Sequence, residues 1–100
     1  MANIRLFDFW KVNSKDGNDL IFTGKNLKTV DKVYARTLKD GKPEKEYTIT
    51  DKDVEISFDG TVGIARGINL SVPDTLDELE VTVEHVASSS KDTEKKELPV

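Results

Sequence analysis

Apolar and polar positions alternate with period two along most of the chain. That is the pattern of strands with one buried and one wet face. The cleanest runs are VEISF at 54–58, INLSV at 68–72 and LEVTV at 79–83. The run 4–12 is denser, with Leu6, Phe7, Phe9 and Trp10 close together. It predicts a first strand that bends or changes sheet. Runs at 20–23, 33–38 and 46–50 complete the set, with a further short strand expected at 62–65. Asp16-Gly17-Asn18, Asp40-Gly41 and Asp59-Gly60 separate these runs with turn chemistry that supplies positive φ cheaply. Pro73 has no N–H to continue a ladder and closes the run before it. Residues 75–79 are expected to form a helical turn or a wide loop. Nowhere do apolar residues hold helical spacing over a long stretch.

About seven short strands punctuated in this way predict an all-β chain, an immunoglobulin-like antiparallel β-sandwich over residues 1–86. Residues 87–100 are polar and charge-balanced until Leu98. They are expected to form a flexible tail, because they bury too little surface to offset the entropy of ordering. Leu98-Pro99-Val100 is a candidate anchor if that tail docks. Within the predicted sandwich, Gly24 is expected at a sharp strand exit that needs positive φ or close backbone approach. Asn26 would cap that turn, and Leu27 would tuck under the sheet.

Composition sharpens this picture. Hydrophobic residues make up 36% and charged residues 34% of the chain, which suits a small sandwich with wet outer faces. Cysteine is absent, so the fold must rest on its own core without disulfides. The net charge of −4 argues against nucleic acid as a partner. No apolar run is long enough to span a membrane. The opening MANIRLFDFW lacks the basic and apolar regions of a signal peptide, so synthesis in the cytoplasm without one is expected. Charge is uneven along the chain. Lys25, Lys28, Lys32, Arg36, Lys39, Lys42 and Lys45 crowd one segment, while Asp and Glu dominate 51–84. A dipolar surface would let Lys25, Lys28, Lys32, Arg36 and Lys39 meet an acidic neighbour.

The residues do not compose a catalytic site. His85 is the one histidine and, without cysteine, cannot found a transition-metal site unless carboxylates supply the rest. It is expected to be partly buried and hydrogen-bonded. Asp51, Asp53 and Glu55 alternate and would share one strand face, but they lack the spacing of a calcium loop. GTVGIARG at 60–67 has neither the lysine nor the following helix of a phosphate loop. Its glycines are expected at a bend or bulge. No serine lies in a nucleophile elbow. No enzyme, metal or cofactor is therefore expected. The aromatics, Phe7 and Phe58 among them, are expected mostly in the core. Trp10, Tyr34 and Tyr47 carry a second reading as a platform for sugar rings.

Four segments, in order, resemble immunoglobulin-like domains of the IPT/TIG type. IFTGKNL at 21–27 looks like the family's glycine-ended strand, and VDKVY at 30–34 like the strand after it. INLSVP at 68–73 looks like its Val-Pro strand, and LEVTVE at 79–84 like its last strand. The family's N-terminal Ser-x-x-Pro-x-x-Gly segment and its last-hairpin glycine are both missing. The resemblance implies a binding or spacing module rather than a catalyst, and it carries over no functional residues. The expectation is a structural protein acting through protein contacts, most concretely a bacteriophage capsid decoration or tail protein incorporated into the virion. The alternative is a carbohydrate- or cell-surface-binding module.

Overall fold

The structure, a computed structural model, describes residues 3–14, 17–68 and 78–97. Among them are eight strands and no α-helix. These are β1 (Arg5–Ser14), β2 (Gly17–Lys25), β3 (Lys32–Lys39), β4 (Lys42–Thr50), β5 (Val54–Ile56), β6 (Val62–Ala65), β7 (Glu78–His85) and β8 (Ser90–Glu97). They form two four-stranded sheets, ordered β1-β2-β6-β5 and β4-β3-β7-β8, and every pairing is antiparallel. The result is an all-β, two-layer, sandwich-like fold. Short 3₁₀ turns at Leu27–Thr29 and Asp51–Asp53 carry the chain from one sheet to the other.

The alternation read from the sequence is what fills the space between the sheets. Leu20 and Phe22 of β2, Val33 and Ala35 of β3, and Leu79, Val81 and Val83 of β7 all face inward and are buried. Each large aliphatic or aromatic side chain so buried contributes about 1.5–3 kcal/mol. Ile4, Leu6 and Phe9 enter the same core from the first segment. Leu6 and Phe9 lie in opposite phases of an ideal strand, and the chain reconciles them with a bulge. Leu6 stands opposite Gly24 and Asp8 opposite Thr23, so Phe7 is an extra residue. The bend expected in the first run is this bulge.

The turns follow their chemistry. Lys39 pairs with Lys42 across Asp40-Gly41, both at positive φ (51° and 77°), as a two-residue hairpin of type I′ requires. At the exit of β2 the strain sits on Asn26, not on Gly24. Asn26 adopts the left-handed conformation (φ 59°, ψ 34°). Its side chain does not cap the following turn; Nδ2 donates instead to the Asn3 carbonyl at 2.8 Å. Leu27 is fully buried, as expected. Gly24 is required by close approach, since a Cβ there would run into the Arg5 carbonyl. Gly63 likewise lies under the Phe22 ring in a regular ladder, so it marks side-chain approach rather than a bulge.

Other expectations change. Ser90–Glu97 is not a flexible tail but the strand β8, paired with β7 from Glu78↔Glu97 to His85↔Ser90. A partner of matched register supplies the order that its own hydrophobicity cannot. Phe7 is 60% and Phe58 92% exposed, so neither joins the core. Asp51 and Asp53 lie in the 3₁₀ turn and only Glu55 lies on a strand, so the three share no strand face. Asp16, the run 69–72, Pro73, residues 75–77 and 98–100 lie outside the described residues.

Gly24→Val is expected to cost about 3 kcal/mol, because backbone rather than a flexible side chain must yield. Thermal denaturation should show the melting temperature falling by roughly 10 °C or more.

Candidate functional site

Three surfaces carry chemistry: the outer face of each sheet, and the seam where β1 and β8 meet.

On the outer face of the β1-β2-β6-β5 sheet, register places Trp10 opposite Ile21, Ile21 opposite Ile64, and Ile64 opposite Glu55. The first three make an apolar row across three strands. Val12 and Val62 lie on the same face in neighbouring rows and are exposed. Trp10 keeps 37% of its surface open, so it is an outward residue. Polar groups rim the row. Glu55 pairs with Arg66 at 3.0 Å, and Asp19 accepts from the Gly67 N–H at 3.2 Å. Contiguous exposed apolar surface with a polar rim is the usual form of an interaction site. A sequence signal for Ile21 and Ile64 exists: in LIF and GIA, consecutive apolar residues cannot all face inward on a strand.

The outer face of the β4-β3-β7-β8 sheet is polar and self-neutralising. One row runs Glu46, Arg36, Glu80, Lys95 and another Lys32, Glu84, Lys91. Arg36 Nε donates to Glu80 at 2.6 Å, with Glu46 3.9 Å from its Nη1. Between these rows lie Thr48, Tyr34, Thr82 and Thr93. The Tyr34 hydroxyl donates to Glu84 at 2.8 Å, and Lys32 sits over its ring at 5.9 Å. The bond to the Glu84 carboxylate favours the protonated phenol and raises the Tyr34 pKa above its ordinary value. Tyr34, Arg36, Glu80, Thr82, Glu84 and Lys91 line much of a shallow depression of about 320 Å³.

The basic residues expected to act together are dispersed. Lys32 and Arg36 face acidic partners on this sheet. Lys39 ends β3, and Lys25 ends β2 in the other sheet. Lys28 lies in the crossover turn, 5.0 Å over the exposed Phe58 ring. Tyr47 stands opposite Ala35, on the inner face, and packs partly against the core. His85 is half-buried, with Nδ1 2.8 Å from the Ser88 hydroxyl. Among the described residues no group of three or more His, Asp or Glu is placed to hold a metal ion, and no helix is long and apolar enough to cross a membrane.

At the seam, side chains of β8 take up backbone groups of β1. Asp92 Oδ2 accepts from the Leu6 N–H at 2.8 Å, with Arg5 Nε 3.7 Å away. Lys96 Nζ donates to Asp8 Oδ1 and to the Phe9 carbonyl, both at 2.9 Å, and stands 5.8 Å over the Phe9 ring. The ammonium of Lys96, and then the Phe9 N–H bonded to the same oxygen, hold the Asp8 carboxyl below its ordinary pKa.

The chain matches no model of a known protein family, and comparison with curated proteins finds no match.

The lowered Asp8 pKa fixes the sign of a pH effect. A carboxyl depressed by folding contributes stability that is complete above its unfolded pKa and lost as pH falls through the folded one. Denaturant titrations from about pH 5 to about pH 2 should therefore show the parent losing more stability than Asp8→Asn. Equal losses would remove Asp8 from the seam's energetics.

Proposed function

We propose that this chain is a non-catalytic structural module that works by protein–protein contact, and that the assembly it serves is a bacteriophage virion, as a capsid decoration or tail component. The docking face in this reading is the outer surface of the β1-β2-β6-β5 sheet. The observation that carries it is the outward row of exposed Trp10 and half-buried Ile21 and Ile64, flanked by exposed Val12 and Val62. An aromatic anchor within an apolar patch and a polar rim is the arrangement in which a few residues supply most of the binding energy. The fold in this reading is an immunoglobulin-like sandwich of the IPT/TIG type. The order β1-β2-β6-β5 corresponds to strands A-B-E-D of such a domain, and β4-β3-β7-β8 to C′-C-F-G. The virion setting rests on analogy between folds.

A second reading has its own observation. The half-exposed Tyr34 lies in a depression where Arg36 is paired with Glu80 and the Tyr34 hydroxyl with Glu84, and where Thr48 and Thr82 add hydroxyls suited to a neutral polyhydroxylated ligand. This supports a carbohydrate-binding module on the opposite face.

The two readings separate by mutation. Trp10→Glu should weaken co-sedimentation with purified capsids or tails about 30-fold, a loss of about 2 kcal/mol. Folding stability should change by about 1 kcal/mol or less. Tyr34→Ala should leave that binding intact. If Tyr34→Ala instead abolishes retention on immobilised polysaccharide while Trp10→Glu has no effect, the carbohydrate reading replaces the first.

A further inference from the structure

Among the described residues, β8 is the one strand that supplies nothing to the core. Its sequence, SKDTEKKE, has no apolar side chain, and none of its residues is buried. Polar contacts in two phases hold it. Away from the core, the Thr93 and Thr82 hydroxyls lie 2.7 Å apart, while Lys91 and Lys95 stand in register with Glu84 and Glu80 along the backbone ladder to β7. In the other phase, Asp92 takes the Leu6 N–H, and Lys96 takes Asp8 and the Phe9 carbonyl.

The connection to β7 is short and strained. It comprises the 3₁₀ turn Val86–Ser88 and then Ser89, a non-glycine residue in the left-handed region (φ 58°, ψ 20°). Val86 within it is exposed. Straightened, these four residues span roughly 13 Å.

We propose that β8 exchanges between two copies of this chain, each copy's Ser90–Glu97 pairing with the β7 and β1 of the other. Three observations meet here. β8 has no apolar side chain of its own to bury, so apart from the Phe9 ring under Lys96 the hydrophobic effect has little hold on it. Opening the hinge frees Ser89 from its left-handed conformation. The slot it leaves is specific: Glu84, Thr82 and Glu80 on one side, and the Leu6 N–H, Asp8 and Phe9 carbonyl on the other, demand the order Lys-Asp-Thr-x-Lys-Lys. A second copy supplies that strand. The exchange uses a sheet edge and is independent of the Trp10 face.

The chain has no cysteine, so the variant Thr82→Cys/Thr93→Cys reports which copy's β8 lies on which β7. Protein equilibrated at about 1 mM and at about 1 µM is oxidised and resolved without reductant, since exchange follows mass action. Covalent dimers in the concentrated sample and internally linked monomers in the dilute one are expected. Internal disulfides at both concentrations would overturn the proposal, including the case where chromatography shows dimers. Adding Ser89→Gly, which holds the closed hinge without strain, should lower the covalent-dimer fraction several-fold; an unchanged fraction would overturn the role given to the hinge. Adding Trp10→Glu should leave the fraction unchanged, and its loss would mean that the dimer forms through the outer face instead.

Discussion

The extra residue at Phe7 is the constraint on which the rest of the structure depends. Without a bulge, a strand that buries Leu6 would also turn Asp8 inward and leave Phe9 in solvent. Burying an unpaired carboxylate costs several kcal/mol, and exposing Phe9 forfeits about 2 more. A bulge costs one break in the ladder. The balance favours the bulge, and three consequences follow from it. Phe9 reaches the core opposite Phe22. Trp10 is turned outward, opposite Ile21. The Asp8 carboxylate stays in solvent, within reach of Lys96.

The same register arithmetic makes the two outer faces different in kind. Across β3 and β7, each outward base meets an outward acid, so that face carries little net field. Across β1, β2 and β6, outward positions coincide at Trp10, Ile21 and Ile64. The first face therefore carries charges, threonines and Tyr34, and the second gathers the outward apolar residues into one row. The free edges are protected by other means. Charged side chains and Pro43 line β4, which discourages a foreign strand from pairing there.

Most of the strands were legible because they obey a rule local to the chain. VGIA at 62–65 and the Asp40-Gly41 hairpin fall where period and turn chemistry put them. What escaped depends on partners far along the sequence. β8 has no apolar alternation, and its order comes from β7 and from backbone groups of β1 more than 80 residues away. Close backbone approach is one of the two reasons expected for Gly24, but that the approaching group is the Arg5 carbonyl is not legible in the local sequence. The positive φ expected at that turn passed to Asn26, which tolerates the left-handed region better than most residues. Phe58 looked like core because it extends an alternating run. The run breaks at Ile56, and a tight turn built on Asp59 begins, with the Ser57 and Thr61 hydroxyls both donating to its carboxylate.

These observations separate what stabilises the fold from what is available for assembly. The core is closed by β1, β2, β3, β4, β6 and β7, with Val54 and Ile56 of β5 packed against it and Leu27, Val30 and Ile68 from the connections. The side-chain contacts of β8 are instead hydrogen bonds, ion pairs and the Lys96 ammonium over the Phe9 ring; the hydrogen bonds and ion pairs contribute little net stability because water competes for the same groups. A strand attached in this way orders the seam without contributing a side chain to the interior. Hydrophobic docking through the Trp10 row needs a rigid backbone beneath it, and β1-β2-β6 supplies that from the core side. Strand exchange needs an element that carries no core side chain of its own, and among the described strands β8 is the one that meets that condition.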